Sequence, residues 1–215
     1  MLNSIYILVI FYLLLGDSLR ISKKNTSLIN KPSIICTIIS TIISTSNVNA
    51  ATYSEPNSFQ VTYPDSFVVS PKPLKTHEIE FLSKSEDIKG YNFGVTVDRV
   101  KVNTIKDIFK EPLLLANKVT QVEKSKEGVF DVTILNTNED TVKLVSSPDS
   151  TQTTPPVAYI VEYKIDSSRG KNHYLVKSTI VNKKLYVATV QTKDADWKDE
   201  IPATAAKLID SLVII

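Results

Sequence analysis

One cysteine, one methionine, one tryptophan, two histidines and five glycines among 215 residues leave little from which to build reactive chemistry. The cysteine, Cys36, falls in an N-terminal stretch that reads as a leader. The rest of the chain therefore has no disulfide, thiol nucleophile or thiolate metal site. A serine hydrolase would need a base and an orienting group beside its hydroxyl. Only His173 has a carboxylate, Asp194, placed by sequence to serve it, and no Gly-x-Ser-x-Gly elbow presents a serine. The expectation is a protein without catalysis. No apolar run approaches the ~20 residues a membrane-spanning helix needs. Outside the leader only Arg99 and Arg169 are arginines, and 21 basic side chains face 22 acidic ones, so nucleic-acid binding has no support. The +2 of the whole chain belongs to the leader.

The leader has three parts. Residues 5–15 are a continuous apolar run, too short to span a bilayer and suited to the core of a signal peptide over 1–18, with Gly16 and Ser18 near its cleavage point. Residues 19–33 open a stretch without Asp or Glu that continues to Ser54. With Arg20, Lys23, Lys24 and Lys31 among many hydroxyl residues, this is the composition of a transit peptide. A second short apolar core, Ile34 to Ile43, leads to Val48-Asn49-Ala50, another small-residue cleavage site, so 34–50 reads as a second export signal. Asn30-Lys31-Pro32 lacks an Arg pair, which favours a Sec-type route for it. Three addresses in series imply several membranes crossed in turn.

The remaining residues have the length of one domain. Residues 51–57 read as a mobile extended arm and 58–215 as the folded part. Strands are expected at 59–63, 67–69, 76–83 and 91–102, where Gly94 signals a bulge or a close approach. Helix is expected over 104–124 in two pieces, with Pro112 opening the second and Leu114, Leu115, Val119 and Val122 as its buried stripe. Residues 129–135 and 141–145 read as a hairpin, 146–156 as a loop and 157–165 as a strand. The last helix covers 201–212, with Ile201, Ala205, Leu208, Ile209 and Leu212 on one face. Strands in runs with a helix between them and another at the end argue for an α+β fold with a mostly antiparallel sheet.

Residues 173–181 and 185–192 are the centre of the pattern. Both are rich in Val, Ile, Thr and Tyr, and Asn182-Lys183-Lys184 separates them. Apolar residues stand on both parities, Tyr174, Val176 and Ile180 against Leu175 and Val181, so this hairpin should lie mid-sheet with a layer on each face. It also folds His173 back toward Asp194. Two such ligands make a weak site for Ca²⁺, Mn²⁺ or Zn²⁺ unless a partner completes it, and a surface His–carboxylate pair is the simpler reading. The imidazole could also switch docking with acidity. Lys171, Lys177, Lys183 and Lys184 form a candidate docking cluster for an acidic surface, or else a solvated rim. Asp194, Asp196, Asp199 and Glu200 lack the spacing of a calcium loop. His77 reads as structural and Trp197 as core.

These features in order resemble the PsbP family: Phe59-x-Val61-x-Tyr63-Pro64; Val95-x-Val97 followed by Thr104-Ile105-Lys106-Asp107 and Pro112; Tyr159-x-x-x-Tyr163; Lys184-Leu185-Tyr186-Val187; Asp194-x-x-Trp197; and the Ser211-Leu212-Val213 ending. The leader resembles that of a thylakoid-lumen protein of a plastid of secondary origin. The resemblance implies a sheet sandwiched between helices, an α/β/α sandwich, and no enzymatic activity. It also implies a location in the plastid thylakoid lumen, peripheral to the membrane. It implies an extrinsic protein on the lumenal face of photosystem II that supports calcium and chloride retention and the manganese cluster. An assembly or stability factor for another thylakoid complex, or a lumenal small-ligand module, are the alternatives. The family's proposed metal-binding His and Asp fall on His173 and Asp194. The arm 51–57 is shorter than the one PsbP uses for photosystem contact.

Overall fold

A computed structural model describes residues 49–85, 90–145 and 154–215. The leader segments 1–18, 19–33 and most of 34–50, and the greater part of the 146–156 loop, lie outside the described residues.

A seven-stranded antiparallel sheet is the frame. Its strands are β3 (Phe67–Val69), β4 (Ile79–Ser83), β5 (Asn92–Arg99), β6 (Val129–Thr141), β8 (Val157–Ser167), β9 (Gly170–Val181) and β10 (Lys184–Lys193), in the order β3-β4-β5-β10-β9-β8-β6. The hairpin β9–β10 is central, as its two apolar parities require. Tyr174, Val176 and Ile180 join one core cluster, and Leu175 and Val181 join the other.

The first cluster lies under α1 (Pro112–Lys124), which Pro112 opens where a missing N–H breaks no helical hydrogen bond. Leu115, Ala116, Val119 and Val122 of α1 are buried. Leu114, expected in that stripe, is 43% exposed, because the buried arc turns toward Ala116 instead. The second cluster lies under α2 (Ile201–Asp210), where Ala205, Leu208 and Ile209 are buried and Leu212 follows. The same face carries a small second sheet made of β1 (Ala50–Glu55), β2 (Phe59–Pro64), β11 (Val213–Ile214) and β7 (Lys143–Leu144), ordered β1-β2-β11-β7. The expected α+β class, a mostly antiparallel sheet with a helix on each face, is what the chain adopts.

Two expectations change. Residues 51–57, read as a mobile arm, are extended but not free: β1 pairs with β2 from Ala50↔Pro64 to Glu55↔Phe59. Tyr53 packs on Phe59 and Phe81, and this anchors the strand. The segment 129–145 is not a hairpin. It is one long strand, β6, paired along β8, with register shifts at Phe130 and Leu135, before β7 crosses to the small sheet. The polar run 136–140 that suggested a turn is the solvated side of an edge strand. Gly94 is the close approach its position signalled: a Cβ there would stand 2.7 Å from the His77 ring, which lies over the strand.

Candidate functional site

The β9–β10 register places Thr192 opposite His173, so Asp194 follows directly at the strand end. Here a 3-10 turn, Asp194–Asp196, folds back over the sheet. Only 2% of the His173 side chain is exposed. Its Nδ1 lies 3.4 Å from Asp194 Oδ1, and its Nε2 lies 2.8 Å from Glu162 Oε1. Trp197 stacks on the ring, centroids 3.8 Å apart and planes at 10°. Lys164, opposite His173 on β8, sets its Nζ 2.7 Å from the same Asp194 oxygen. Burial pushes the Asp194 carboxyl up, but the Lys164 ammonium and His173 outweigh it and hold the group below the usual carboxylate range.

The sequence therefore paired His173 with Asp194 correctly but missed Glu162 and Lys164. A signal was there: they are the only charged residues in the Val157–Ile165 run and share one parity, the mark of a polar stripe on a buried strand. With them the arrangement is a clasp that holds an imidazole between carboxylates. It does not fit a resident cation, because the two ring nitrogens point to separate carboxylates and an ammonium already sits on Asp194. Among the described residues no group of three or more His, Cys, Asp or Glu is disposed to hold a metal ion. Hydroxyl catalysis is equally ill served, since Nε2, which would deprotonate a serine, faces Glu162.

The four candidate docking lysines do not form one patch. Lys171 stands at the open end of the hairpin, paired with Asp166 at 3.2 Å. Lys183 and Lys184 stand at the turn, roughly 35 Å away at ~3.3 Å per strand residue. Lys177 does not belong to a docking surface. Its side chain is 4% exposed, and its Nζ is 2.6 Å from Asp140 and 3.1 Å from Asp210. Its parity directs it under α2, and the two carboxylates neutralise it there. His77 is buried, with Nδ1 lacking a hydrogen-bond partner, and burial lowers its pKa to about 4. Trp197 is partly buried against the α2 cluster, and its ring also stacks on His173.

With this geometry in view, comparisons with known proteins add the following. A family model described as PsbP matches residues 49–214. No curated protein matches the sequence significantly. Among solved structures, the chain is similar to the solution structure of cyanobacterial PsbP (CyanoP) from Synechocystis. The TM-score is 0.58 and the identity 13%, with 82% of this chain and 98% of that one covered. A weaker likeness is to LpqN, involved in cell envelope biogenesis of Mycobacterium tuberculosis, with TM-score 0.45, 10% identity, and coverage of 79% of this chain and 92% of that one. Among the described residues no helix is long and apolar enough to cross a membrane.

Proposed function

The chain belongs to the PsbP family, and on that premise we propose that it is a non-catalytic extrinsic protein of the thylakoid lumen. In this reading it docks on photosystem II and supports the oxygen-evolving complex, helping to retain calcium and chloride and to keep the manganese cluster stable. The observation that carries the reading is the family match, whose bounds take in the described strands and both helices. Two features agree with it. Apolar side chains of two core clusters pack on either face of the sheet, as the family's sandwich requires. The His173 clasp is built to hold a fold together rather than to turn over a substrate.

A second reading rests on β1. An N-terminal arm used for photosystem contact must be free to reach its partner, and residues 50–55 are instead hydrogen-bonded into the small sheet. This favours an assembly or stability factor for a thylakoid complex. Fractionation of thylakoids with immunodetection separates the two. Co-migration with photosystem II cores, and release by a high-salt wash, is the result expected of an extrinsic subunit. A protein free in the lumen, or bound to another complex, excludes that role and leaves the factor.

A further inference from the structure

The turn end of the central hairpin breaks two local rules at once. Lys184 is the direct cross-strand partner of Arg99, and like charges so placed repel. In the two-residue turn itself, Asn182 and Lys183 both adopt left-handed backbone, φ 51° and 59°. A turn of this kind favours glycine at its second position, and a lysine there costs about 1 kcal/mol. Val100 N donates to Lys183 O at 2.8 Å, which draws the end of β5, with Arg99 and Lys101, against the turn. Among the described residues Arg99, Lys101 and Lys183 have no ion-pair partner, and all three are exposed. Lys184 Nζ reaches only the Asn57 carbonyl, at 3.4 Å.

Beside these cations opens a cavity of about 220 Å³ lined by Glu55, Pro56, Ser58, Glu78, Val97, Asp98, Arg99 and Lys184. Asp98, whose Oδ2 is buried without a hydrogen-bond partner, stands at its wall. Burial first, and Glu78 second, push the Asp98 carboxyl above its ordinary value, and three carboxylates, Glu55, Glu78 and Asp98, outnumber the two cations, Arg99 and Lys184, in the lining. Departures from local rules that bring no packing gain mark functional positions.

We propose that this tip is a docking surface for a protein whose surface alternates in charge. Carboxylates of that partner face Arg99, Lys101, Lys183 and Lys184, and a partner lysine or arginine enters the neighbouring cavity toward Asp98 and Glu78. A lipid surface fits less well. None of the large apolar side chains exposed among the described residues lies in the tip segments, and an anionic bilayer would be repelled by the cavity's carboxylates. The surface deepens the docking reading above and rests on it.

The test is rebinding of the processed protein to salt-stripped photosynthetic membranes, with protein-free vesicles containing anionic phospholipid in parallel. The triple variant R99Q/K101Q/K183Q should lose at least about tenfold in affinity, mainly in association rate, and D98N/E78Q should also bind more weakly. K171Q, at the far end of the hairpin, should bind as the parent does. Far-ultraviolet circular dichroism and thermal melts establish that each variant folds. Rebinding that is unaffected by the triple variant overturns the surface and leaves the function intact. Equal binding to protein-free vesicles, or tighter binding by D98N/E78Q, overturns the protein partner. Failure of the unaltered protein to rebind overturns the docking reading itself.

Discussion

The two ends of the β9–β10 hairpin are made of the same kinds of residue and do opposite things with them. At the open end His173 is enclosed by Glu162, Asp194 and Trp197, and Lys164 neutralises the carboxylate nearest to it. At the turn end Arg99 faces Lys184 and Lys183 projects from a left-handed turn without a counter-ion among the described residues. A charge that is buried and paired is spent within the fold, because breaking it strands its partner. A charge left unpaired at a rim contributes little to stability and remains available to another molecule. The end with the conspicuous histidine therefore encloses its charges, and the plainer end, where we propose recognition, leaves them exposed.

The largest test of that contrast is His173→Ala. It removes an aromatic stack and leaves Glu162 and Asp194 facing a cavity, which should cost about 3 kcal/mol in urea unfolding. A loss below ~1 kcal/mol would remove the distinction between the two ends.

A comparable effect uses the other imidazole as a control. His77 is buried, its Nδ1 without a hydrogen bond and 3.9 Å from Glu80 Oε1, and burial lowers its pKa from 6.5 to about 4. In that window the unfolded chain takes up a proton that the folded chain refuses. Stability should therefore fall as pH falls from 6.5 toward 4, by up to ~1.4 kcal/mol per pH unit for one proton. His77→Gln should flatten this part of the profile. A profile that His77→Gln leaves unchanged would show that His77 is not the group behind it.

The smallest effect belongs to the turn. Lys183→Gly should raise stability by about 0.5–1 kcal/mol by relieving the positive φ, while weakening rebinding to stripped membranes. A variant that gains neither stability nor a docking defect would show that the turn is under no strain and serves no partner.

The chain order of strands and helices was readable because period-2 and period-3.6 patterns are local. The apolar parities of Tyr174, Val176 and Ile180 against Leu175 and Val181 placed the central hairpin with a layer on each face, and both layers are present. The pairing of His173 with Asp194 was readable for the same reason, since a hairpin register depends on its turn alone. What failed was whatever depends on a neighbour distant in sequence. Nothing in Ala50–Glu55 announces that β2 pairs with it, and nothing in 136–140 announces that β8 keeps those residues extended through two register shifts. Lys177 looks like its neighbours Lys171 and Lys183 by composition; only α2, which brings Asp210 over the sheet, turns it from a surface cation into a buried one. Arg99 lies 85 residues before Lys184 in the chain, and only the β5–β10 pairing sets the two side by side. Sequence alone thus determined most of the elements, the class of fold and the family, because those are written in local periodicity and ordered motifs. Which charges are enclosed and which are left for a partner was decided by tertiary structure, because burial and pairing are properties of the strands and helices packed against a residue.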